Sequence, residues 1–450
     1  MPASESAVDA FRRLAAAAQA EGRLPSLSAA VFRGHEVVWQ EAIGLADVEA
    51  GRAATPDTQY RVASITKTFT AAAVMQLRDA GALDLDDPLT KHIPEAAHAP
   101  TIRRLLSHLS GLQREPVGDV WESFEFPSRE ELVSGLAEAE QVLPPGQQWH
   151  YSNLAFGLLG EVVERASGQP YTDFVDERLL RPLGLARTTW TPVEPAARGY
   201  LVEPYSDAVR REPQVELHAK RPAGSLASTT GDLARWGAFL ADPDPAVLAP
   251  ATVDEMHLPQ ALADVELWTQ AWALGPALIR RGDTIFAGHT GGFPGFLSIF
   301  LYSRTAKIGA VALANASVWP KLIEVGLDLA TKAIELLPAV VEEWRPDESP
   351  PAEIEPLLGR WWSEGAEVVF SYRRGRLEAR QASAPPEREP SVFEREAPDR
   401  FRTVAGRERG EVLRVVRGND GAVDKLYWAT YPFTRTPEVL GPKEPGGAGP

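Results

Sequence analysis

Ser64-Ile65-Thr66-Lys67 sets a hydroxyl and a primary amine three residues apart at the head of an apolar stretch. On a helix such residues share a face, so the two groups would lie side by side. A serine becomes a nucleophile when a neighbour takes its proton, and a lysine does so only where its surroundings disfavour the ammonium. The run Thr70-Ala-Ala-Ala-Val-Met that follows is apolar on nearly every side and would supply those surroundings. The backbone dipole at a helix N-terminus also favours developing negative charge. With 8 Lys and 23 Ser in the chain, about 0.4 such pairs arise by chance, so the spacing alone is weak.

Two further patterns change that weight. Tyr151-Ser152-Asn153 uses one of three Asn and one of nine Tyr, a coincidence expected about 0.06 times. A phenol relays a proton where cations lower its pKa, and an amide side chain holds a carbonyl. His289-Thr290-Gly291-Gly292 lies on or just after a predicted strand, where glycines let a substrate backbone approach. The three patterns together have a chance expectation on the order of one in a thousand. Taken singly, Ser64 reads as a helix cap and Tyr151 as an amphipathic core residue. His108 and His150 read as structural hydrogen-bond partners. The eight His show no paired spacing for a metal, so neither metal nor cofactor is expected.

The elements that must position these residues follow from periodicity. Residues 1–22 predict an amphipathic helix with Val8, Phe11, Leu14 and Ala18 on one stripe. Residues 27–32 and 36–43 flank Arg33-Gly34 as a hairpin. A buried helix spans 64–80, helical and irregular segments run to about 240, and residues 193–222 read as a long loop. Strands return at 283–287, 296–302 and 307–314, before a helix at 322–337. Strands at both ends with helices between predict one antiparallel sheet flanked by helices, beside a helical lobe: an α/β chain of the α+β kind. Beyond it, strands at 367–372, 377–381, 412–416 and 425–433 predict a small antiparallel barrel. The expected division is a catalytic domain at 1–343, a linker at 344–356, a barrel at 357–437 and a disordered tail at 438–450.

Composition narrows the partners. A net charge of −16 over 450 residues disfavours nucleic acid and anionic lipid surfaces. No apolar run approaches the roughly 18 residues that cross a bilayer. Without cysteine, disulfides and thiolate chemistry are excluded. Glu5, Asp9, Arg12, Arg13 and Glu21 interrupt the first 22 residues, unlike a secretory signal, so a cytoplasmic location is expected.

With these motifs in this order, residues 27–337 resemble the penicillin-recognising serine enzymes: penicillin-binding proteins, class C β-lactamases, D,D-carboxypeptidases, esterases and D-aminopeptidases. Tyr60-Arg-Val-Ala-Ser-Ile-Thr-Lys, Leu105-Leu-Ser-His-Leu-Ser-Gly-Leu, Gly224-Ser-Leu-Ala-Ser-Thr and the segment 288–296 extend the resemblance. It implies Ser64 as the acyl-accepting nucleophile and Lys67 as the group that shares or takes its proton. Tyr151 would be a general base in acylation or deacylation, and Asn153 would bind the substrate amide. His289, Thr290, Gly291 and Gly292 would line the substrate strand, with the N–H groups of Ser64 and Gly292 as the oxyanion hole. His289 stands where β-lactamases carry Lys, a departure shared with esterase, peptidase and acyltransferase branches. The segment Leu426-Tyr-Trp-Ala-Thr-Tyr-Pro-Phe-Thr-Arg resembles lipocalin-like barrels appended to such enzymes.

The resemblance implies a serine hydrolase or acyltransferase acting on a small ester or a peptide containing a D-residue. A sharper reading is a penicillin-binding-protein-type thioesterase, which takes a nonribosomal peptide from its carrier protein and closes it into a ring. A third is an inactive homologue that binds peptides.

Overall fold

The computed structural model describes residues 5–337, 344–346, 349–385 and 388–438; the expected tail lies outside them from residue 439 on. The chain divides into two compact units, residues 1–339 and 340–450.

Five helices carry the first unit: α1 (Glu5–Glu21), α2 (Thr66–Asp79), α3 (Asn153–Ser167), α4 (Thr230–Ala241) and α5 (Leu322–Leu336). In α1 the buried stripe is Ala7, Phe11, Ala15 and Ala18; Val8 and Leu14, expected on it, flank it half-buried. The sheet begins with β1 (Ser26–Arg33), β2 (Glu36–Asp47) and β3 (Arg52–Ala53). It is completed by β4 (Ala261–Leu262), β5 (Gln270–Trp272), β6 (Ala277–Arg281), β7 (Thr284–Phe293), β8 (Phe296–Ser303) and β9 (Ile308–Ala314). The nine antiparallel strands run in the order β3-β2-β1-β9-β8-β7-β6-β5-β4. The two ends of the unit therefore meet, with Leu27 opposite Ala314 and Arg33 opposite Ile308.

Side chains alternate across the central strands, and both faces are covered. Ala29, Val31, Ile299, Leu301, Ala310 and Ala312 pack under α1 and α5. Phe32, Phe300, Tyr302, Val311 and Leu313 face the other core, with α2, α3 and α4. Burial on both sides makes these strands read as unbroken apolar runs. Four strands of this sheet, β3 to β6, escape the sequence reading because they are two to five residues long. β7 runs on to Phe293, so His289–Gly292 lies within the strand. Residues 193–222, expected to be a loop, contain a small hairpin of Tyr200–Val202 with Val209–Arg211 and a helical turn at Arg221–Gly224.

The second unit is a nearly closed barrel of eight antiparallel strands in sequence order. These are β10 (Gly359–Ser363), β11 (Ala366–Arg373), β12 (Arg376–Gln381), β13 (Ser391–Ala397), β14 (Arg400–Ala405), β15 (Val412–Arg417), β16 (Val423–Trp428) and β17 (Tyr431–Phe433). An antiparallel bridge from Trp362 to Thr434 joins the first edge to the last. The single strand expected at 425–433 is two, parted by Ala429 and Thr430 at φ +49° and +72°. Trp361 is wholly buried, and Ile354, inside the expected linker, belongs to the same core as Leu357, the first residue of the expected barrel. Among the described residues, no helix is long and apolar enough to cross a membrane.

Candidate active site

Every residue from Thr58 to Leu77 is buried except Ser64, which is partly exposed. The backbone produces this exception. Tyr60 and Arg61 pair with Ser228 and Ala227, and Val62 N–H bonds to the Leu226 carbonyl. Ala63 then turns into the left-handed region, φ +47°, at a cost on the order of 1 kcal/mol. A short 3-10 turn, Ala63–Ile65, leads into α2. β7 and β8 are pressed against this turn: Ser298 Oγ, on β8, donates to the Val62 carbonyl at 2.9 Å. A Cβ on Gly291 would stand 2.2 Å from both that carbonyl and Ser298 Oγ. Gly292 is different. It is exposed, and a Cβ there would meet only Leu297 Cδ2, at 3.6 Å.

Lys67, one turn beyond Ser64, is wholly buried. Its Nζ donates to Ser64 Oγ at 3.0 Å, Asn153 Oδ1 at 2.8 Å and the Ala223 carbonyl at 2.6 Å. Burial first, then the nearby Lys220, hold its pKa well below that of an ordinary lysine; Glu115 opposes them and Arg114 adds to them. Asn153 is the first residue of α3, set by the Ser152 hydroxyl, which caps the helix by accepting from Ala155 N–H at 3.0 Å.

Tyr151 is partly buried and stands beside the Ser64 hydroxyl. Burial pushes its phenol above the ordinary value, and the Ser64 hydroxyl and the Arg114 charge only partly offset this. Lys67 Nζ and the Arg114 guanidinium carbon each stand 5.0 Å from the ring centre. His108 stacks on the ring at 4.2 Å, while Trp272 meets it edge-on at 5.8 Å. His108 Nδ1 accepts from Ser152 N–H at 3.1 Å, and burial holds the imidazole neutral. His289 is 2 % exposed, and its Nδ1–H donates to the Thr290 carbonyl. Burial and then Lys67 push its pKa down to about 3, so no fixed cation stands at this position.

The structure thus brings Ser64, Lys67, Tyr151 and Asn153 into direct contact, with His289 6.3 Å from Tyr151 between ring centres. Thr290, Gly291 and Gly292 follow on β7. Pairing of β6 with β7 ends at Ala277 opposite Gly288, so among the described residues that edge of β7 has no strand partner from His289 onward. The sequence reading missed Glu115 and Lys220. Glu115 Oε1 accepts from Asn153 Nδ2 at 2.6 Å, and Glu115 Oε2 lies 2.6 Å from Lys220 Nζ, a charge contact rather than an aligned hydrogen bond. Lys220 lay in the stretch read as a loop; its one signal was a scarce lysine ahead of Arg221-Pro-Ala-Gly. Among the described residues, no group of three or more His, Cys, Asp or Glu is arranged to hold a metal ion.

This fold, with a lysine-contacted serine where the sheet meets the helical lobe, defines a serine hydrolase of the β-lactamase/transpeptidase type. Residues 11–333 match the beta-lactamase family, and the chain belongs to it. Residues 350–435 match a domain of unknown function, DUF7586. Among relatives, Beta-lactamase-like protein 2 of Dictyostelium discoideum is 32% identical over 53% of this chain and 46% of its own length. The D-alanyl-D-alanine-carboxypeptidase/endopeptidase AmpH of Escherichia coli K12 is 36% identical over 40% of this chain and 48% of its own. The chain thus spans about half the length of these curated relatives. Among solved structures, SurE has a TM-score of 0.63 and 26% identity, covering 96% of this chain and 99% of that one. A D-stereospecific amidohydrolase from Streptomyces sp. has a TM-score of 0.61 and 27% identity, covering 71% and 98%. The D-amino acid amidase of Ochrobactrum anthropi SV3 has a TM-score of 0.63 and 25% identity, covering 74% and 99%.

Proposed function

We propose that the protein is a hydrolase that cleaves esters or D-residue amides through an acyl-enzyme on Ser64. The observation that carries this is the 3.0 Å contact between Ser64 Oγ, open to solvent, and a fully buried Lys67 amine. Lys67, disfavoured as an ammonium, takes the Ser64 proton as Oγ bonds to the acyl carbon. The charge gathering on the carbonyl oxygen falls to the N–H groups of Ser64 and Gly292, a device worth about 3–4 kcal/mol per donor where measured. Collapse breaks the bond to the leaving group, which receives a proton through Tyr151. That phenol is protonated at rest, so it serves first as a relay rather than as the opening base. Water then attacks the acyl-enzyme, giving up its proton along the same path and releasing Ser64. Asn153 binds the substrate amide. The neutral His289 offers no charge to a substrate carboxylate, which favours amides and esters over substrates held by a free acid group. The D-stereospecific amidohydrolase and D-amino acid amidase among its structural neighbours support the same substrate class.

A second reading has its own observation: the likeness to SurE, also solved with D-Leu, runs through both units rather than the first alone. Under it the acyl group arrives as a peptide on a carrier protein, and an amine of that peptide replaces water, as in the thioesterases considered above.

Intact mass after exposure to a fluorophosphonate, followed by turnover of an aryl ester, D- and L-amino acid amides and a peptide thioester ending in a D-residue, tests both. Ser64→Ala is expected to lose the mass shift and at least a thousandfold in turnover. Cyclic product from the thioester would establish the second reading. Equal, unshifted masses for wild type and Ser64→Ala with every probe would leave only a peptide-binding protein.

A further inference from the structure

The Lys220–Glu115 ion pair makes and breaks no bond in the chemistry above, yet Lys220 is buried, Glu115 half-buried, and both are joined through Asn153 to the reacting groups without a break. Lys220 meets Glu115 at 2.6 Å, Glu115 accepts from Asn153 Nδ2 at 2.6 Å, Asn153 Oδ1 accepts from Lys67 at 2.8 Å, and Lys67 donates to Ser64 at 3.0 Å. A carboxylate only accepts, whereas an amide has one donating and one accepting end. Glu115 therefore decides which end of Asn153 faces Lys67. Lys220 is 3 % exposed, under the rings of Trp121 and Phe126 at 4.3 and 4.7 Å to their centres. An apolar pair of the same size would be as stable or more so, which makes stability a weak reason for burying these charges.

We propose that Lys220 and Glu115 are a positioning pair that sets the protonation state of Lys67 from behind Asn153 and fixes the orientation of that amide. The inference rests on the acyl-enzyme reading, in which Lys67 must be neutral to accept a proton. The other titratable groups around Lys67 are Arg114, Tyr151 and the two neutral imidazoles, His108 and His289. Of the charged groups, Lys220 and Glu115 act on Lys67 in opposite senses, the cation favouring the free amine and the anion the ammonium. Their removal must therefore have opposite consequences, which simple damage to the fold would not.

The test is the pH profile of kcat/KM on an aryl ester between about pH 5 and 9. Lys220→Met removes the cation, favours the Lys67 ammonium and moves the acid limb up by about one pH unit, roughly a tenfold loss on the acid side that closes at alkaline pH. Glu115→Gln keeps an acceptor for Asn153 but loses the charge, and moves the limb down. Lys220→Arg restores the wild-type profile. Equal losses at every pH, or shifts in one direction for both variants, overturn the proposal. Lys67 can also be followed without turnover, by NMR of protein carrying 13C-labelled lysine, assigned with Lys67→Met. If wild type has no Ser64-dependent turnover, the acyl-enzyme reading fails, while the opposed NMR shifts still decide for or against the positioning pair.

Discussion

In the barrel, the buried polar side chains among the described residues are three hydroxyls, Ser391, Thr403 and Thr434. Thr403 accepts from the Trp428 indole at 2.9 Å; around it lie Trp361, Phe370, Phe393, Leu413 and Leu426. The first unit buries Lys67, Lys220, Arg61, Glu161, Asp232, His108 and His289 as well as its apolar cores. Burying an ionisable group costs free energy unless it is paired or neutralised. The barrel is built as a stability-driven core is built, whereas the first unit accepts that cost, with Lys67, Lys220, His108 and His289 placed about the Ser64 site. Burial of charge, more than shape, marks where chemistry is placed.

The largest expected effect that would sharpen this contrast comes from acid. All eight His lie in the first unit. His257 is held down to about 4, His289 to about 3, and His108 is lowered too, each chiefly by burial. A histidine depressed in the folded state contributes stability above its unfolded pKa of about 6.5 and loses it as pH falls. Between pH 7.5 and 5 that is about 2 kcal/mol each for His257 and His289, and His108 acts in the same sense. Hydrogen exchange read by mass spectrometry is expected to show the sheet and α2 losing protection over that range while the histidine-free barrel does not. Equal losses in both units would break the comparison.

Next is Phe393→Ala in the barrel, which removes a ring stacked on Phe370 at 5.8 Å and is expected to cost about 3–5 kcal/mol, seen as a lower denaturant midpoint for β10–β17. The smallest effect carries the opposite sign. Lys67→Met should abolish most turnover yet leave the protein as stable or up to about 4 kcal/mol more so, because a buried amine is replaced by an apolar chain of similar length. With its pKa depressed, the Lys67 amine stabilises least at low pH, so the gain should shrink as pH rises toward 10; equilibrium unfolding by urea checks both sign and slope.

How much of this was legible in the sequence depended on distance along the chain. Ser64 and Lys67 are one turn apart, and the apolar run after them declared the burial. The central strands were readable because both faces are apolar, as in 308–314. β13 and β14 carry Glu394, Arg395, Glu396, Arg400 and Arg402 on exposed or rim positions, which diluted their alternation. Glu115 and Lys220 meet only after the loop before α3 and the turn before α4 have packed, and no local pattern announces such a contact. The glycine pair of β7 was read as one feature. The structure separates it into Gly291, demanded by packing on Val62, and Gly292, which has room to spare.

The seam between β1 and β9 has a consequence for synthesis. A ribosome releases the first hairpin long before the strand that covers its inner edge exists, because the partner of Leu27 is Ala314. Until then the nascent segment Ala29-Ala30-Val31-Phe32 presents an unmated apolar ribbon, the kind of edge that recruits a neighbouring chain. Slowing translation ahead of residue 308 should thus favour aggregation or chaperone capture, since closure of this sheet waits for the last third of the polypeptide to emerge.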